Sequence, residues 1–237
     1  MIVKAYKTRV FKEKENLIDF IIKYIPKAQE GDIIVVTSKI VALSEGRTVD
    51  LGDEKSREAL IKKESTFATK TKYTWLTIKD GMFMASSGID ESNANGKIIL
   101  LPKDSFKSAK FLHTKLSKIY KVKNLGIVIS DSALMPLRNG TVACAIGYFG
   151  FNGINNYVGK KDIFGKILKM SRVNIADSLT TSAVLLMGEG NEQKPLAKIS
   201  DAPVIFSRNI NKKDSSIALK DDIFYPLIKN LHNEKNK

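Results

Sequence analysis

Apolar positions along the chain follow helical spacing in some stretches and strand-like runs in others. Residues 15–25 (ENLIDFIIKYI) place apolar groups on one face of a helix. Gly31-Asp32 then turns into IIVVTSKIVAL, a β-branched run that predicts a buried strand. Residues 53–64 (DEKSREALIKKE) predict a solvated helix. YTWLTIK and MFMASS flank Asp80-Gly81, a strong hairpin signal, and KIILLP predicts another short strand. In 106–121 the apolar groups Phe106, Ala109, Leu112, Leu116 and Ile119 recur at helical spacing. NLGIVIS and TVACAIGYFGF predict strands around a loop containing Asp131 and Pro136. Residues 172–187 predict a helix stopped by Gly188, and DAPVIFS a late strand. The polar end NLHNEKNK predicts a frayed tail over 232–237. Strands and helices are interspersed without a strict βαβ rhythm, so the expected class is mixed α/β (α+β) rather than a doubly wound sheet. No repeat or linker divides the chain, and 1–237 is read as one domain, with room for two subdomains.

Composition narrows the setting. The 237 residues are 43% hydrophobic and 27% charged, the balance of an ordinary globular protein. No apolar run reaches the roughly 18 residues that span a bilayer, and MIVKAYKTRVFKEKE lacks the apolar core of a secretory signal. Cys144 is the only cysteine, which excludes an intrachain disulfide and a four-cysteine zinc site. A cytoplasmic protein with no membrane partner is expected. Lys+Arg 39 against Asp+Glu 25 gives a net charge of +14, which attracts polyanions. The lysines are scattered and form no basic arm, so the charge is equally that of a lysine-rich proteome. A nucleic-acid-binding protein is the rival of a different class.

Several familiar chemistries are absent. There is no GxxxxGK[ST] loop, and GEGNEQ (188–193) lacks the third glycine of a dinucleotide fingerprint. His113 lies in an amphipathic segment and His232 in the tail, so a Ser-His-Asp triad has little support. What remains is a set of oxygen-bearing residues beside glycines at element ends: Asp90 in GIDESN, Asp131 and Ser132 after GIVIS, and Glu189 after Gly188. Carboxylates and hydroxyls are hard ligands suited to Mg²⁺ or Mn²⁺ beside phosphates. Asp and Ser are equally common in turns and caps, so each residue taken singly is also a turn former. Lys39, inside an apolar run, needs a partner for its charge, either a phosphate or a structural carboxylate. Arg138 in PLRNG suits a carboxylate or phosphate, or is a solvent-exposed turn arginine.

Seven stretches in register resemble the coenzyme F-420-0:L-glutamate ligase family, from about Gly31 to Pro195: GD-IIVVTSKIVALSEGR, SSGIDESN, ILLPKDSFKSA, GIVISDS with PLRNG, AIGYFGFNGI, DIFGKIL and ADSLTTSAVLLMGEGNE. The resemblance implies a γ-glutamyl ligase-type fold, an intertwined homodimer, and use of GTP (or ATP) with two divalent cations, Mg²⁺ or Mn²⁺. It places metal at Asp90, Asp131, Ser132 and Glu189, with Asp131 and Arg138 catalytic. Nucleotide contacts carry over to Thr37, Ser38, Lys39, Asn93 and the loop Met187, Gly188, Glu189, Gly190, Asn191, Glu192, Gln193 and Lys194. The implied reaction forms an acyl phosphate on an acceptor carboxylate, which the amine of L-glutamate then attacks. DSALMP (131–136) departs from the family's Asp-Thr-x-Gly-Arg-Pro, with Leu134 and Met135 in place of Gly-Arg. That loop, GYFGFNGI and MGEGNEQ are more similar to a bacterial branch assigned to folate metabolism. A folate-type acceptor is therefore expected, with the deazaflavin as the alternative.

Overall fold

A computed structural model describes residues 1–229. The first half runs β1 (Ile2–Tyr6), α1 (Leu17–Tyr24), β2 (Ile33–Thr37), α2 (Ser38–Ser44), β3 (Thr48–Asp50), α3 (Glu54–Glu64), β4 (Phe67–Lys70), β5 (Trp75–Lys79), β6 (Met82–Ala85) and β7 (Lys97–Ile99). The second half runs α4 (Ser105–Tyr120), β8 (Gly126–Leu134), β9 (Thr141–Phe149), β10 (Ile154–Asn156), β11 (Arg172–Asn174), α5 (Ile175–Met187), β12 (Leu196–Ser200) and α6 (Tyr225–Ile228). The class is mixed α/β, as the sequence predicts. The expected tail at 232–237, with His232, falls outside the described residues.

The central sheet has the order β1-β12-β2-β8-β9. Only β2 and β8 run parallel; the other three pairings are antiparallel. Because side chains alternate across a sheet, β2 and β8 feed two cores. Ile34, Val36, Ile127 and Ile129 pack with α1, α2 and α4. Ile33, Val35 and Val128 pack with the Ala176, Leu179, Ala183 and Met187 stripe of α5. This explains the continuous apolar runs: a strand covered on both faces has no polar side to show. Short caps start the helices. The side chains of Asn16, Asp53, Asp104 and Asn174 accept first-turn N–H groups of α1, α3, α4 and α5, each worth about 1 kcal/mol.

Four expectations need correction. The run IIVVTSKIVAL is not one strand; β2 stops at Thr37 and α2 begins at Ser38. An unbroken apolar run fits a buried strand and a buried helix equally, so periodicity could not locate the junction. Asp131 and Ser132 do not lie in a loop, because β8 continues to Leu134 paired with β9. DAPVIFS is not a strand; the late strand is β12, one step earlier, and Phe206 keeps only an isolated bridge to Phe151. The helix predicted over 172–187 begins at Ile175, with Arg172–Asn174 pairing as β11.

His113 is structural, its ring stacked edge-on to Phe149 with Nδ1–H donating to the Leu125 carbonyl at 2.8 Å. Burial lowers its pKa and keeps it neutral. Gly150 faces the same carbonyl at φ +98°; a Cβ there would sit 2.1 Å from the Leu125 oxygen. Among the described residues no helix is long and apolar enough to cross a membrane.

Candidate nucleotide and metal cleft

The carboxyl ends of the parallel pair β2/β8 open into a cleft of about 840 Å³. Ligands in open α/β sheets commonly bind at such ends. Its walls come from Thr8–Glu13, Thr37–Ile40, Asp90 with Ser92–Asn95, Ser130–Ser132, and Gly188–Asn191 with Gln193–Pro195 after α5. Two main-chain bonds hold that last segment in place: Thr8 N–H donates to the Gln193 carbonyl (2.8 Å) and Thr37 N–H to the Pro195 carbonyl (3.1 Å).

Strand alternation aims the acids. Asp131 continues the Ile127–Ile129 side of β8, toward α2, and Ser132 continues the Val128 side, toward α5. Accordingly Ser38 Oγ, in the first turn of α2, donates to Asp131 Oδ1 at 2.8 Å. Ser132 Oγ donates to Glu189 Oε2 at 2.6 Å, just past the end of α5. A bulge beside Ser130 puts one extra residue on β9. There the Ala145 N–H turns to Asp177 Oδ1 at 2.8 Å, so that donor is satisfied by a side chain.

Asp90 arrives on a separate segment, bridged to Ile99 and turned by Ser92 N–H on its own Oδ1 at 2.6 Å. Lys39 Nζ lies 2.7 Å from Asp90 Oδ2 and donates to the Ser92 carbonyl at 2.8 Å. Of the two kinds of partner the sequence left open, the one Lys39 meets here is a carboxylate, that of Asp90. Asn93, at φ +55°, donates through Nδ2 to the Gly190 carbonyl at 3.2 Å and ties the GIDESN turn to the loop after α5.

Asp131 and Asp90 differ electrostatically. Burial pushes the Asp131 carboxyl up to about 6; Ser38 and the Ser132 backbone pull it back, and the charges of Asp90 and Glu189 add to the rise. Burial acts the same way on Asp90, but Lys39 and Ser92 outweigh it and hold that group below its ordinary value. Asp90, Asp131 and Glu189 bring hard oxygen donors, the kind a divalent cation takes, to one cleft beside Lys39. The residues fit such an ion. Among the described residues no three acid, imidazole or thiol groups converge closely enough to chelate one as they stand. Binding would draw the carboxylates from their present hydroxyl and ammonium partners.

Thr37, Ser38, Lys39, Asp90, Asn93, Asp131, Ser132, Met187, Gly188, Glu189, Gly190, Asn191, Gln193 and Lys194 all line the cleft. Glu192 does not; it accepts the Gly190 N–H at 2.8 Å and shapes the loop from behind. Arg138 does not either, lying in the exposed turn beyond β8. The sequence reading missed the Thr8–Glu13 wall and Lys97, whose Nζ meets Glu13 Oε2 at 2.7 Å. The clustered charges of TRVFKEKE were the one available signal.

The family model described as F420-0:Gamma-glutamyl ligase matches residues 5–201. A coenzyme F420:L-glutamate ligase of Methanococcus maripaludis (strain C7) is 34% identical, over 85% of this chain and 87% of its own. One from Methanocaldococcus jannaschii is 32% identical, over 90% of this chain and 91% of its own. With carboxylates from three segments gathered on one cleft and the match spanning every wall of it, the chain belongs to the F420-0:γ-glutamyl ligase family of enzymes.

Proposed function

We propose that the protein joins L-glutamate to a carboxylate of an F420-0-type deazaflavin, consuming GTP or ATP with Mg²⁺ or Mn²⁺. The observation that carries this reading is the set Asp90, Asp131 and Glu189 on one cleft beside Lys39, in a chain whose aligned relatives are named for that reaction. The folate-type acceptor expected from residues 133–135 has less support. The relatives bear the deazaflavin name, and Leu134 and Met135 are exposed and absent from the cleft lining.

In this reading the acceptor carboxylate attacks the γ-phosphate and releases the nucleoside diphosphate. The amine of L-glutamate then attacks the acyl phosphate, losing a proton and expelling phosphate as the amide forms. Divalent cations held by Asp90, Asp131, Ser132 and Glu189 would shield the triphosphate charge from the incoming carboxylate. Lys39 binds phosphate oxygens, and the Met187–Lys194 loop folds over the nucleotide. Ser132 can offer an oxygen lone pair while its own hydroxyl hydrogen points to Glu189, as in the 2.6 Å bond it donates here. The same reading takes 1–237 as one ligase-type domain, paired as a homodimer, in a cytoplasmic setting without nucleic acid.

Mass spectrometry of parallel reactions with F420-0 and tetrahydrofolate monoglutamate tests the acceptor. Addition of one glutamate residue to the deazaflavin alone is expected; addition to the folate alone would reverse the assignment. Asp131→Asn should lose turnover by at least ~10²-fold with the fold intact. A fully active variant would remove Asp131 from the site.

A further inference from the structure

One of the ammonium–carboxylate pairs on the cleft, that of Lys39, sits on an expected metal ligand; the other, Lys97 on Glu13, lies on the Thr8–Glu13 wall. Lys39 Nζ is 2.7 Å from Asp90 Oδ2, 2.8 Å from the Ser92 carbonyl and 3.2 Å from Ser92 Oγ. That is a three-oxygen nest of the kind a hard cation takes. Asp131 and Glu189 pair with neutral groups instead: the Ser38 hydroxyl and the Ser132 backbone on Asp131, and the Ser132 hydroxyl on Glu189. Lys39 is fixed at its root in the first turn of α2, beside Ser38, and its side chain is only about a quarter exposed. A flexible four-carbon stem can carry its charge away without moving the helix.

We propose that Lys39 is a stand-in cation: it occupies the Asp90 position while the cleft holds no metal, and moves to a phosphate oxygen when the metal–nucleotide complex arrives. This rests on the metal and nucleotide reading above. Its consequence is an order of events. A divalent ion alone must evict the ammonium without supplying it a new anionic partner. An ion arriving with a triphosphate brings the new partner for Lys39 with it. Metal and nucleotide binding are then coupled through one side chain, and the coupling is reciprocal.

The test is Mn²⁺ titration followed by electron paramagnetic resonance, with and without a non-hydrolysable triphosphate, on the wild type, Lys39→Met and Lys39→Arg. A thermal melt of each variant confirms folding. For Lys39→Met we expect Mn²⁺ alone to bind about three- to tenfold tighter, since a partly buried ion pair no longer competes. The triphosphate should bind more weakly and enhance Mn²⁺ binding less. Lys39→Arg should restore the wild-type pattern. Mn²⁺ affinity unchanged in Lys39→Met, with binding still coupled to nucleotide, would overturn the stand-in role and leave the metal site standing. No Mn²⁺ binding by the wild type in either condition would overturn the metal reading beneath it.

Discussion

Asp131 shows how a single position can trade stability for chemistry. Its carboxyl is raised to about 6 by burial and by its acidic neighbours. A carboxylate raised in the folded state binds protons there more readily than when unfolded. It therefore favours folding most in acid, and that contribution is lost as pH rises through the ordinary carboxylate range to about 6. Asp131→Asn in metal-free protein should accordingly gain on the order of 1–3 kcal/mol at neutral pH, and little in acid. Melting temperatures of the two proteins across that range check the sign; an Asn variant less stable at neutral pH would contradict it. The sequence singled out Asp90, Asp131, Ser132 and Glu189 as hard oxygens at element ends, and the fold brings all four to one cleft. Their partners were not legible, because Ser38 and Asp131 lie 93 positions apart and no local pattern reports a contact of that span.

Among the elements, the β9 terminus offers the sharpest constraint. Gly150 holds φ +98° with the Leu125 carbonyl where a Cβ would be, and the His113 nitrogen lies 2.9 Å from that point. Gly150→Ala has to move backbone and break the bond from His113, so a loss of about 3 kcal/mol or more is expected. Denaturant titration reads it directly, and a loss under about 1 kcal/mol would mean the turn relaxes freely. Elements with a polar face or a cap, such as α1, α3, α4 and the β5–β6 hairpin, were readable from pattern. Those without one were not. β2 runs into α2 with no polar break, and β12 was displaced onto DAPVIFS because LAKIS carries a lysine mid-strand. That lysine, Lys198, reaches Asp32 Oδ2 at 2.9 Å, so its polarity is answered within the fold.

For the whole molecule, the charge of +14 comes from lysines and arginines scattered along the chain, with no basic arm to gather it. Filter binding should therefore show little oligonucleotide retention at about 200 mM salt. Nucleotide binding should respond to divalent metal far more than to salt. Tight oligonucleotide binding with a steep salt slope would revive the nucleic-acid alternative. The mixed class could be inferred from interspersed patterns, but not the sheet order, in which β12 inserts between β1 and β2. Such long-range pairing leaves no periodic trace.

Strand β8 has a consequence for how this enzyme can change. Neighbouring residues Asp131 and Ser132 serve opposite faces of the sheet, so one inserted or deleted residue upstream would exchange their sides and disarm both. The dipeptide is phase-locked to the strand, and neither half can drift alone. Beyond Leu134 the chain leaves the cleft, and no such lock applies. Variation in length and character can collect at that hairpin tip, where this chain carries Leu134 and Met135.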